Sequence, residues 1–300
     1  MKSGSSLYSS GCPTQPSRGS LVVLPSPFLY ESPASWLMRA SAFHDIYPEE
    51  LLRFFGLKRI RDFDLDLNAH HIEVIAHGTK LNRSLTSQIV SLFQNLKNTG
   101  LADVFLAYDD EGRMRYKCCP LCLASDRVPY FRLSWRLKDT FFCDDHRCRL
   151  IVVCSSCGNS PGAYLSRRSG RRRLAPEEIC RCCCICGADY ACESSVVDLP
   201  DGYIEECVHT QKLILSALIQ GNFSIYGHDE LFPLEYLPRF MALRGWHVAQ
   251  KDLGPQPRVR PMVLEFIKQG EISDQINSEL SDAEYWMEKV RAPFTEQMDD

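Results

Sequence analysis

A chain of 300 residues with 45% hydrophobic content can bury a substantial core, divided between two or three units. A net charge of −4 excludes a protein that coats nucleic acid indiscriminately. Residues 1–20 are Ser/Gly/Pro-rich without an apolar run, and Leu21–Tyr30 is short and broken by Pro25 and Pro27, so neither a signal peptide nor a membrane span is expected.

Residues 1–20 read as a disordered N-terminus and 21–113 as an N-terminal helical domain. Ser32-Pro33 places a cap before a proline at a first helical position, and Trp36, Ala40 and Phe43 share one face of the helix that follows. Asp45–Tyr47 forms a turn. Pro48 then opens a second helix through Leu51, Leu52 and Phe55, ended by Gly56. Helix, turn, helix is the outline of a helix-turn-helix. A DNA reader needs basic or amide side chains at the start of its second helix. Pro48, Glu49 and Glu50 stand there instead, which favours protein docking. His70 and His71 read as a solvated pair rather than a general base. A third helix is expected over Thr86–Lys97 with Ile89, Val90, Phe93 and Leu96 inward.

Residues 114–192 hold four pairs of soft ligands: Cys119/Cys122, Cys143/His146, Cys154/Cys157 and Cys183/Cys186. Two intervening residues in each pair let both side chains bind one tetrahedral zinc from a tight turn, so four pairs make two sites. Gly158 and Gly187 follow their pairs where such a turn needs positive φ. Gaps of 20, 7 and 25 residues separate the pairs. The short middle gap favours sequential pairing, a Cys₃His site followed by a Cys₄ site, over an interleaved cross-brace. Cys118 competes with Cys119, and Cys180, Cys182 and Cys184 compete with Cys183. Cys12, Cys148, Cys192 and Cys207 read as ordinary thiols.

Fifteen cysteines used in this way fit a reduced, cytoplasmic protein holding two structural Zn²⁺ ions, with no open coordination position for catalysis. Short strands are expected at Arg115–Cys118, Thr140–Cys143 and Leu150–Val153. The aromatic run Tyr130–Arg136 reads as the small core of the first finger rather than a stacking platform for bases. No phosphate-binding glycine loop is present, and Asp144-Asp145-His146 makes a poor nuclease because the histidine serves better as fourth ligand. Arg167, Arg168, Arg171, Arg172 and Arg173 form a basic insertion between the halves of the second site, either a solvated loop or a phosphate contact. Residues 193–300 read as a C-terminal helical domain with a Val208, Leu215, Leu218, Ile219 stripe ended by Gly221. Further helices are expected near 236–249, 259–269 and 275–290. The fold class is therefore mainly α with small β: a helix-turn-helix, central tandem zinc modules and a helical end.

Three stretches resemble one family. Glu31-Ser-Pro-Ala-Ser35-Trp36-Leu37-Met-Arg39-Ala40 is similar to the opening signature of TniQ proteins. The order Cys119-Pro-x-Cys122 … Pro129-Tyr130-Phe131-Arg132-x-Ser134-Trp135-Arg136 … Cys143-x-x-His146 … Cys154-x-x-Cys157-Gly158 resembles their central zinc region, and Cys183-x-x-Cys186-Gly187 their closing knuckle. The resemblance covers about residues 20–190. It implies a bacterial, non-enzymatic adaptor in transposition target selection, nucleoid-associated when in complex. Such proteins bind DNA or a CRISPR effector with its guide RNA, and recruit an AAA+ ATPase of the TnsC kind. Their helix-turn-helix contributes to docking and homodimer formation. Relatives dedicated to fixed sites have longer C-terminal DNA-reading regions, so a chain ending at Asp300 matches the shorter, adaptor-like kind. The alternatives are a sequence-specific reader of its own DNA site, and a zinc-dependent nuclease or ligase scaffold.

Overall fold

The computed structural model describes residues 23–241 except 59, 80, 82, 110–111, 163–177, 194–200 and 225–230. The N-terminal segment 1–20, the arginine insertion 167–173 and the helices expected near 259–269 and 275–290 therefore lie outside the described residues, as does most of 236–249.

Helix α1 (Pro33–Phe43) starts as the sequence dictates. The Ser32 hydroxyl accepts from Ser35 N–H at 3.1 Å, and Pro33 takes the first position, where no N–H is needed. Helix α2 (Pro48–Phe54) begins with Glu50 accepting from the Tyr47 N–H at 3.0 Å, and Gly56, at φ 73°, turns the chain away. The two helices pack together. They form a helical pair.

Helix α3 (Ala69–His77) falls where the sequence reading placed no element. Asn68 caps it by accepting from His71 N–H at 3.0 Å, and His71 Nδ1 accepts in return from Asn68 N–H at 3.2 Å. His71 is thus a helix-start group, and partial burial lowers its pKa. His70 is exposed. Helix α4 (Arg83–Thr99) buries Ile89, Val90, Phe93 and Leu96 as expected, and short α5 (Ala102–Phe105) follows. After α6 (Pro120–Ser125) and the loops of the cysteine region comes α7 (Asp201–Gln220), which packs on α4. The Asn95 amide of α4 caps α7 by donating to the Leu218 and Ile219 carbonyls at 2.9 and 3.0 Å. Gly221, at φ 78°, then leads to the hairpin β1 (Asn222–Ser224) and β2 (Leu231–Pro233), with Phe223 opposite Phe232. The three strands expected in the cysteine region shrink to single bridges, Cys118 with Ile151 and Phe142 with Arg149. The tight turns bend the chain before a ladder can extend.

The run Tyr130–Arg136 joins two cores. Phe131 and Trp135 enter a cluster with Trp36, Leu37 and Tyr116, whereas Leu133 and Leu137 enter another with Phe93, Leu96 and Leu218. Arg136 lies between them, its side chain fully buried. Its guanidinium donates to the Ala107 carbonyl and, at 2.7 Å, to Asp62 Oδ2, and its Nε lies 3.4 Å from Asp64 Oδ2. The ring of Tyr108 stacks 4.5 Å from it. Asp64 in turn accepts from Ala34 N–H in the first turn of α1 at 2.9 Å and from the Tyr116 hydroxyl. A second buried pair orders the chain before α1. Glu31 accepts from Arg39 at 2.6 and 2.8 Å and from the Ser35 hydroxyl at 2.8 Å. Among the described residues, no helix is long and apolar enough to cross a membrane.

Arg136→Met strands the Asp62 and Asp64 carboxylates in the interior, and denaturant unfolding should show a loss of about 3–5 kcal/mol. A loss within about 0.5 kcal/mol, the range of an ordinary surface change, contradicts this account. Burial, reinforced by the Asp62 charge, raises the Asp64 carboxyl to about 7 against the pull of Arg136, the Tyr116 hydroxyl and Ala34 N–H. The native state therefore binds more protons than the unfolded chain between about pH 4 and 7, and this contribution to stability falls as pH rises through that window. The stability difference between wild type and Asp64→Asn should shrink across the same window; a difference independent of pH contradicts it.

Candidate metal centres

Three of the four ligand pairs use one backbone device. In each, the first cysteine's N–H bonds a carbonyl five residues on, and the N–H four residues on bonds the first cysteine's carbonyl. The pairs are Cys143 to Cys148 and Arg147 to Cys143 (2.8 and 3.0 Å), Cys154 to Asn159 and Gly158 to Cys154 (both 2.8 Å), and Cys183 to Ala188 and Gly187 to Cys183 (2.7 and 2.8 Å). The residue after the second donor is left-handed in all three: Arg147 at φ 56°, Gly158 at 69° and Gly187 at 79°. The glycines mark this turn in the sequence. Arg147 does not, although it occupies the same strained place at a cost of order 1–2 kcal/mol. The remaining pair starts a helix instead. Cys119 is the N-cap of α6, with Pro120 in the first turn and Cys119 Sγ accepting from Cys122 N–H at 3.4 Å.

These turns gather donors into two clusters, Cys119, Cys122, Cys143 and His146, and Cys154, Cys157, Cys183 and Cys186; within each, all donor atoms lie within 4.8 Å of one another. The pairing is sequential. In the first cluster, His146 Nδ1 stands 3.6, 3.2 and 3.6 Å from the sulfurs of Cys119, Cys122 and Cys143, and Cys122 Sγ is 3.4 Å from Cys143 Sγ. In the second, Cys154 to Cys186 and Cys157 to Cys183 are both 3.7 Å. A tetrahedral zinc with Zn–S about 2.3 Å and Zn–N about 2.0 Å has S···S edges of about 3.8 Å and S···N edges of about 3.5 Å. Donor chemistry and spacing thus fit Zn²⁺, and both sets fill four positions from protein alone, the structural arrangement.

Cys119 and Cys183, rather than Cys118, Cys180, Cys182 or Cys184, supply the donors of the gathered sets. Cys180 is fully buried with its sulfur 3.6 Å from the Ser35 hydroxyl, and the Cys118 backbone pairs with Ile151. Cys148, read from the sequence as an ordinary thiol, has its sulfur 3.3 Å from Cys119 Sγ. The three thiols of the first cluster share charge unevenly. Hydrogen bonds from Cys119, Cys122 and Cys148 push Cys143 far below the usual thiol range, while hydrogen bonding to Cys122 and Cys143 pushes Cys119 up. A divalent cation ionises all three together. Arg132 offsets the excess negative charge, paired with Asp126 at 3.2 Å and Asp145 at 3.8 Å and stacked 4.8 and 4.9 Å from the Tyr130 and Trp135 rings. Burial raises the neighbouring Asp144.

Helix α7 rests on the first cluster. Gln211 accepts from Phe141 N–H and Phe142 N–H at 2.7 and 3.1 Å and donates to the Phe142 carbonyl at 3.0 Å. Arg147 pairs with Glu205 at 2.6 Å, and Phe142 packs with Ile204 and Val208. Every one of these contacts falls within residues 141–147, which carry two of the four donors.

The described residues thus form a helical body with two tandem four-donor clusters that could each hold a metal ion. The TniQ family model matches residues 22–150, an interval that contains α1 to α6, the buried aromatic run and the whole first centre. The matched family is the one the sequence resembles, and the second centre lies beyond the matched interval. No curated protein matches the chain.

Gln211→Ala removes the partner of the buried Phe142 N–H and carbonyl and of the part-buried Phe141 N–H, so unfolding should show about 1–3 kcal/mol of destabilisation. Hydrogen exchange should rise in residues 140–148 and 201–212 together. Faster exchange confined to α7 would mean that the helix and the first centre are not coupled.

Proposed function

We propose that this protein is a non-enzymatic adaptor in target selection for bacterial DNA transposition, connecting a target-recognition module to an AAA+ regulator. The observation that carries this reading is the TniQ match over residues 22–150, which contains the first of two clusters whose four protein donors fit a closed, structural metal site. The module it reads from is a CRISPR RNA-guided effector or the target DNA itself. The helical pair α1–α2 serves protein docking: its acidic second start, with Glu50 engaged to the Tyr47 N–H, disfavours a phosphate backbone. Arg167, Arg168, Arg171, Arg172 and Arg173 contribute phosphate contacts from between the halves of the second centre, and the adaptor acts in the cytoplasm, at the nucleoid when assembled.

Tagged protein purified from its host should bring down an AAA+ ATPase, with or without effector subunits and guide RNA. Recovery of one defined DNA sequence and no protein partner would favour a self-sufficient site reader. Within the assembled complex, charge reversal at Arg171, Arg172 and Arg173 should weaken nucleic-acid binding and lower the salt slope by about 0.9 for every duplex phosphate no longer neutralised. An unchanged slope makes the insertion a solvated face.

A further inference from the structure

The first centre holds more sulfur than a tetrahedral ion uses. Beside its four gathered donors, Cys148 Sγ stands 3.3 Å from Cys119 Sγ. Two thiolates on one zinc are about 3.8 Å apart, so Cys148 sits closer to Cys119 than a coordinated pair requires. The turn itself brings it there. Cys143 N–H bonds the Cys148 carbonyl at 2.8 Å, closing the loop that begins at one ligand with a residue that reaches another. The same place in the other two turns holds Asn159 and Ala188. Asn159 donates to Cys157 Sγ at 3.4 Å, a supporting bond that cannot become a zinc–sulfur bond, and Ala188 offers nothing. Of the three turns, the one in the first centre alone has a thiol at this position.

We infer that Cys148 is a reserve ligand of the first centre, taking the vertex of Cys119 when that thiolate leaves the ion. The set becomes Cys122, Cys143, His146 and Cys148, again three sulfurs and one nitrogen, so charge and ligand softness are unchanged. The move required is small. A change of one χ1 well carries a cysteine sulfur about 3 Å, close to the 3.3 Å that separates the two sulfurs, and Cys148 is only half-buried. A ligand waiting at that distance recaptures an ion left three-coordinate before water and competing chelators remove it.

The inference rests on the zinc reading of this centre, and the test separates the two. Zinc per chain is measured in wild type and in Cys122→Ser, Cys119→Ser and Cys119→Ser/Cys148→Ser variants. The zinc reading requires two ions in wild type and one in Cys122→Ser; a single ion in wild type removes both the reading and the inference. The reserve ligand requires two ions in Cys119→Ser and one in the double variant, and the cobalt-loaded single variant should keep the absorption of a tetrahedral three-thiolate centre. One ion in Cys119→Ser overturns it. A second readout does not depend on how that variant folds: Cys148→Ser should lose its first-centre zinc to a chelator about tenfold faster than wild type. An equal rate overturns the proposal.

Discussion

A guanidinium withdrawn from water must find its counter-charges where it lies, and for Arg136 that requirement fixes how three distant stretches of chain meet. Asp62 and Asp64 approach from before α3, Tyr116 from the entrance to the cysteine region, and the Ala107 carbonyl from after α5. Because Asp64 also receives the Ala34 N–H, the start of α1 is tied into the same knot. Breaking such a cluster from one side is far more costly than never building it. The helical body and the cysteine region therefore share an interior, with the aromatic run as its seam.

The candidate metal centres sit against that interior: Cys119, Cys122, Cys143, Cys154 and Cys183 belong to the cluster that holds Trp36 and Trp135. Strand pairing around them is reduced to single bridges, so four-donor coordination would add cohesion that the backbone does not supply. The first centre also reaches beyond itself. Through Gln211, Glu205 and the Phe142 cluster, the position of α7 follows that of Cys143 and His146. Under the proposed adaptor role, such coupling between the first centre and α7 would carry position from one partner to another.

The sequence was legible wherever chemistry demands a visible residue. Paired cysteines, the glycines at 158 and 187, and the Ser32-Pro33 start are local signals with local causes, and each leads to the element it announces. The inward face of α4 followed from periodicity, whereas on α7 only Val208 and Leu218 of the expected stripe are buried, with Ile204, Ile214 and Ala217 beside them and Leu215 and Ile219 partly covered. What stayed hidden depended on distance or disguise. Helix α3 starts from a reciprocal Asn68–His71 cap, and a histidine at that position is not a usual signal. Arg147 adopts a glycine's conformation without being one. Asp62 and Asp64 look like surface carboxylates until Arg136, more than seventy positions away, is placed between them. Cys148 is hidden because its spacing from Cys143 matches no ligand pair; only the closed turn brings its sulfur to Cys119.

The claim on which the rest depends is that both centres are structural. Circular dichroism in the far and near ultraviolet, recorded while a chelator withdraws metal and zinc release is counted, tests it directly. Release of two ions per chain with joint loss of aromatic signal and helix, restored by adding zinc, is the predicted result. A chain that gives up its metal and keeps both signals would contradict the account, because coordination would then be serving something other than the fold.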